Sequence, residues 1–168
     1  MPQKIYSLRE AQVIFREPVG FSYLFTPKNI ATNTGWVSDR WDRGSGAAPE
    51  RYIVRGKTKV ASAATAGTIL TMYVAQGDGT DADAALGTGN AALPSIERRR
   101  NLTPIGVIVA DGNGTNVGPF ISRPYTVEIL DRYVQIVWFN EFGVALTNVA
   151  ADHTCVFTPV PWEVEDAT

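Results

Sequence analysis

One cysteine, one histidine and no apolar run approaching about 18 residues are what this 168-residue sequence lacks first. The lone Cys155 permits no internal disulfide, so packing alone must hold the fold. With a single thiol and a single imidazole, His153, the chain cannot build a zinc site of the usual Cys/His kind. Its longest clean apolar run, Ile105 to Ala110, suits a buried strand and not a membrane span. The first residues carry Lys4, Arg9 and Glu10 with no apolar core, so no signal peptide is expected and synthesis in a reducing cytoplasm is. Charged residues make up only 19%, against about 25% in ordinary soluble domains. With 45% hydrophobic residues, that excludes a disordered chain and leaves more neutral surface than a freely diffusing monomer wants. Fifteen Gly and ten Pro argue against long helices.

What is present fits one domain of a size that buries roughly 70% of its unfolded surface. The net charge of −2 argues against general nucleic-acid binding. Its distribution is uneven: residues 1–60 hold 10 basic and 5 acidic side chains, residues 61–168 hold 5 and 12, giving +5 and −7. Such asymmetry favours ordered contact with another copy or another charged surface, with random scatter as the alternative. Eleven of the 15 basic residues are Arg, the cation enriched at protein interfaces.

Two regions separate by pattern. Residues 1–50 start with a capping box at Ser7-Leu-Arg-Glu10, then place Val13, Ile14, Phe15, Phe21, Tyr23 and Phe25 among prolines with no sustained helical period. An extended N-terminal arm with one or two edge strands is expected there, lying on its own domain or on a neighbouring subunit. The Gly44–Pro49 stretch reads as a break. Residues 51–168 then alternate regularly. In Tyr52 to Val60, Tyr52, Val54 and Val60 share one face and Arg55, Lys57 and Lys59 the other. Further strands are expected at Thr68–Gln76, Ile105–Ala110, Tyr125–Leu130, Arg132–Phe139, Val144–Thr147 and Thr154–Thr158. The fold class is all-β, an antiparallel sandwich or jelly roll. Two long loops, Gly77 to Pro94 and Asp111 to Pro119, have the length of functional segments.

Catalytic candidates are few. Asp152, His153 and Cys155 invite a Cys–His reading, but i and i+2 on a strand do not give a nucleophile and base their geometry, and a packed Cys155 fits better. No catalytic residue, cofactor or metal is therefore assigned. Asp78, Asp81 and Asp83 offer oxygen ligands to Ca²⁺ as weak candidates, yet they miss the spacing of a calcium loop, and a solvated turn is the other reading. The Gly112–Gly118 stretch lacks the Lys and helix of a phosphate loop. Arg98, Arg99 and Arg100 are either a solvated loop or a docking point for an acidic neighbour. Trp36, Arg40, Trp41 and Arg43 form a polar-aromatic cluster that suits an interface anchor, a sugar platform or simple packing on the sandwich.

Taken together, Ser7 to Gln12, the basic strand Arg51 to Val60, Leu102 to Val109 with its glycine-rich loop, Arg132 to Trp138 and Phe157 to Pro161 resemble the small jelly-roll cement, or decoration, proteins of tailed-bacteriophage capsids. The resemblance covers about residues 50–162, with strand order and turn placement as its basis and an N-terminal stretch longer than the family's. It implies a non-enzymatic virion protein on the capsid exterior, often a trimer, that bridges major capsid subunits after synthesis in the bacterial host. Residues expected at the interface are Phe15, Phe21, Tyr23, Phe25, Trp36, Arg40, Trp41, Arg43, Arg55, Lys57, Lys59 and Arg98 to Arg100. The alternative is a carbohydrate- or receptor-binding sandwich of a phage fibre or tail, with Trp36 and Trp41 stacking on sugar rings. Neither nucleic acid nor membrane is expected as a direct partner.

Overall fold

From Arg51 to Thr58 every second side chain is buried: Tyr52, Val54, Gly56 and Thr58 face inward, and Arg51, Ile53, Arg55 and Lys57 face solvent. Period-two alternation of this kind requires a strand with one covered face, and the same logic builds most of the chain. A computed structural model describes residues 11–17, 22–44, 48–77, 89–93, 102–111 and 117–160. Twelve strands are described: β1 (Val13–Arg16), β2 (Tyr23–Leu24), β3 (Thr34–Val37), β4 (Trp41–Asp42), β5 (Arg51–Thr58) and β6 (Ile69–Gly77). Then come β7 (Ala91–Ala92), β8 (Thr103–Val109), β9 (Phe120–Ile121), β10 (Tyr125–Glu128), β11 (Tyr133–Glu141) and β12 (Thr154–Pro159).

Eight of these strands wind as a jelly roll. One sheet runs β10-β5-β12-β1 with β2 at its edge and β9 beside β5; the other runs β3-β11-β6-β8 with β7 at its edge and β4 beside β11. Within these two four-strand runs every pairing is antiparallel. Chain order therefore crosses between sheets at β1–β3, β3–β5, β5–β6, β8–β10, β10–β11 and β11–β12, which closes the sandwich around one core. Leu70, Met72, Val74, Ile108, Val134, Ile136 and Trp138 from one sheet meet Phe15, Tyr52, Val54, Cys155 and Phe157 from the other. Gly56 lets this layer close: a Cβ there would lie 2.6 Å from Met72 Sδ and 2.9 Å from Ile108 Cδ1.

The segment expected as an arm is extended, but from residue 13 to 42 it supplies β1 to β4 to both sheets. Residues 1–10 lie outside the described residues. Phe15 pairs across from Cys155, and Phe15, Phe25 and Trp41 are buried in the main core. No separation of packing falls at residue 50, because aromatic side chains ahead of it are needed to fill the end of the sandwich. Phe15, Tyr23, Trp41, Tyr52 and Phe157 interlock there with ring centroids 5.5–6.4 Å apart.

Two other expectations change. Val144–Thr147 forms no strand; only Leu146 makes an isolated bridge, to Val60. In β11 the residues opposite the core face are buried as well, since Val37, Ala75, Val137 and Leu102 make a second cluster joined by Tyr73 and Leu93. The β3–β11–β6–β8 sheet is thus covered on both faces over part of its area. Among the described residues its partner sheet is covered on one.

Candidate functional site

Neither reactive side chain of the sequence is placed for chemistry. His153 is fully buried at the start of β12. Its Nε2 lies 3.2 Å from the Thr147 carbonyl, which only accepts, so Nε2 carries the proton and Nδ1 accepts from the Thr58 hydroxyl at 2.8 Å. Burial holds the imidazole pKa below its ordinary value, and nearby Lys59 acts in the same direction. Cys155 faces the core, and desolvation pushes its thiol up to about 12. A neutral, hydrogen-bonded imidazole and a protonated core thiol offer neither base nor nucleophile. Among the described residues no group of three or more His, Cys, Asp or Glu is arranged to hold a metal ion. Asp78, Asp81 and Asp83 lie outside the described residues, as do Phe21 and Arg98 to Arg100.

The Trp36–Arg43 segment is structural over most of its length. Trp41 is 5% exposed within the aromatic cluster. Trp36 is half-buried, and its Nε1 donates to Asn90 Oδ1 at 2.6 Å. The same Asn90 oxygen accepts from the Thr26 amide, and the Asn90 amide donates to Asp39 Oδ1, so Asn90 ties three segments together. The two tryptophans present no shared platform for a sugar ring. Arg43 is also taken up internally: its guanidinium donates to the Asp131 and Pro49 carbonyls. Arg40 is half-buried and sits 4.5 Å from the Tyr133 ring centroid, with Arg132 4.9 Å from the same ring. Arg132 in turn forks onto Asp42, both bonds 2.8 Å, and the Arg132 bond, followed by the Gly44 amide, lowers the Asp42 carboxyl to about 2.

Phe15, Phe25 and Trp41 are therefore corrected from interface residues to core, because the sandwich needs their volume. Tyr23 is half-buried against Phe15 and Trp41. The strand expected to carry Lys59 ends at Thr58, and the Lys59 ammonium turns to Asp152 Oδ1 at 2.8 Å. Burial alone would raise the Asp152 carboxyl, but Lys59 and the Thr147 hydroxyl outweigh it and hold it low.

What the described residues leave open is the outer face of the β10-β5-β12-β1 sheet. Register places Arg55 beside Val156 and Val156 beside Ile14, Lys57 beside Thr154 and Ile121, and Ile53 beside Thr158 and Thr126. Ile53 and Ile121 are exposed at 37% and 62%, Arg55 and Lys57 are exposed, and Ile14 and Val156 are half-exposed. Arg51 on this face is matched by Glu128 at 3.2 Å, whereas no described carboxylate pairs with Arg55 or Lys57. The surface is thus an apolar patch carrying two cations that no described carboxylate compensates. Sequence reasoning named the cations and missed the isoleucines and Val156. The signal was the same alternation, which puts Ile53 outward with Arg55 and Lys57. No protein-family model and no curated protein matches this chain.

Proposed function

We propose that the protein is a structural virion component, a cement or decoration protein that binds the outside of a tailed-phage head and bridges major capsid subunits. One observation carries the reading: the described jelly roll leaves the outer face of one sheet open, and that face mixes Ile14, Ile53, Ile121 and Val156 with Arg55 and Lys57, with which no described carboxylate pairs. Apolar area with Arg at its centre is the composition of a surface buried on assembly. The winding supports it as well, because jelly rolls recur in viral shells, although the same fold serves lectins and cupins. Copies crossing the joints between capsomers add many weak contacts, and their number converts modest affinity into high occupancy.

The test uses expanded capsids of the phage that carries this chain, lacking their decoration protein. The wild-type chain is expected to co-sediment with them at saturable occupancy. Absence of wild-type binding would overturn the reading.

A further inference from the structure

The open sheet face and the end of the chain are chemically matched. After β12 the sequence continues Pro161-Trp-Glu-Val-Glu-Asp166, which combines an indole and a valine with three carboxylates. The sheet face offers the converse, apolar Ile14, Ile53, Ile121 and Val156 around Arg55 and Lys57. Opposite charges brought together over desolvated apolar surface give register and orientation to a contact.

Strand direction fixes where the segment starts relative to these cations. β12 runs antiparallel to β5, from Thr154 beside Lys57 to Pro159 beside Tyr52. The ladder continues one residue further, where the Val160 amide donates to the Arg51 carbonyl at 2.9 Å. At Val160 the described chain is therefore four residues beyond the position beside Arg55 and six beyond the one beside Lys57. Residues 161–168 lie outside the described residues, and eight residues reach at most about 28 Å. That exceeds the roughly 14 Å across a four-strand sheet, so the segment is long enough to cross a neighbour's face.

We propose that the outer face of the β10-β5-β12-β1 sheet is an interface between copies of this chain, occupied by the acidic segment Pro161–Asp166 of a second copy. Tail on one side and sheet face on the other make a heterologous contact, which closes into a ring when the rotation between copies permits. The inference rests on the reading of this face as an assembly surface, and it names the occupant.

The experiment mixes ¹⁵N-labelled and unlabelled full-length chains, treats them with a zero-length carbodiimide and maps the linked peptides by mass. The expected product joins Lys57 to Glu163, Glu165 or Asp166 in label-mixed pairs, within an oligomer seen by light scattering. Glu163→Lys/Glu165→Lys is expected to weaken self-association at least about tenfold. Combining it with Arg55→Glu/Lys57→Glu should restore assembly, which a misfolded variant would not do. Unmixed pairs only, no link to Lys57, or an oligomer indifferent to tail reversal would each overturn the proposal. Capsid occupancy, measured separately, distinguishes the two failures: tail variants that no longer self-associate yet still occupy capsids leave the cement reading standing. Label-mixed links in a protein that binds no capsid leave this interface standing without it.

Discussion

The imidazole of His153 and the hydroxyl of Thr58 meet at 2.8 Å inside the sandwich, with no exposed surface on either residue. This contact closes the β11–β12 connection onto β5, and it uses the neutral ring. Above it Lys59 and Asp152 form their ion pair, and Trp138 approaches the ring edge-on at 6.4 Å.

Stability should therefore fall as the solution is made mildly acidic. The folded pKa of His153 is lowered and the unfolded one is ordinary, so below about pH 6.5 the unfolded chain binds the extra proton. The contribution is complete above that pH and is lost progressively as pH drops toward the folded value. Because His153 is the only histidine, the slope between pH 7.5 and 5.5 belongs to it. Urea midpoints across that range should decline in the wild type and stay level in His153→Gln. A level wild-type profile would contradict the buried neutral assignment.

Cys155 should be silent in the folded protein. Its thiol is pushed up to about 12 and has no exposed surface, so little thiolate exists at pH 8 and reagent has no access. An aromatic disulfide reagent is expected to label it only at the rate of unfolding, and at once in denaturant. Rapid labelling in native buffer would mean that the β12 side of the core opens locally.

Phe15 tests whether the N-terminal segment is part of the core. It is fully buried and contacts the rings of Tyr23, Trp41 and Phe157. Phe15→Ala should cost about 3–5 kcal/mol in chemical denaturation, as for other large core deletions, and Phe15→Leu appreciably less. A loss below about 1 kcal/mol for the alanine variant would show that β1 is a detachable arm.

The sequence made the sandwich readable because β5, β6, β10 and β12 each keep one wet face or edge, and alternation records that directly. It did not show that residues 13–42 enter both sheets because β1 to β4 have only two to four residues each, too short to show a period against Pro18 and Pro27. Trp36 and Trp41 looked like anchors for the same reason: the burial of each depends on partners distant in sequence, Asn90 for one and Tyr52 and Phe157 for the other. Arg55 and Lys57 were legible as an exposed pair, but their apolar setting comes from strands up to 100 residues away, which only topology brings together. Lys59 escaped because β5 ends at Thr58.

Gly106 should resist a methyl group. A Cβ there would fall 2.2 Å from the Tyr125 ring, whose hydroxyl is 3.2 Å from the Val107 carbonyl. Both β8 and β10 are principal-sheet edges among the described strands, so this stacking joins the two sheets at their margins. Gly106→Ala should cost about 1–3 kcal/mol through overpacking. In a Tyr125→Ala background the added cost should shrink, and a double-mutant cycle from urea melts reads the coupling. Equal costs in both backgrounds would show that the ring is not what the glycine accommodates.

Lys57 and Lys59, two residues apart, should behave oppositely. Lys57 stands on the open sheet face with no described carboxylate, so Lys57→Ala should leave stability within about 0.5 kcal/mol. Lys59 holds Asp152 at 2.8 Å, where the carboxylate is only 16% exposed and also accepts from the Thr147 hydroxyl. Lys59→Ala should cost about 0.5–1 kcal/mol, near the upper limit for partly exposed pairs, with less effect in 1 M salt. It should leave self-association intact, whereas Lys57→Glu should weaken it without moving the urea midpoint. If Lys59 governed assembly and Lys57 governed stability, the division between the β5 face and the β5 end would be wrong.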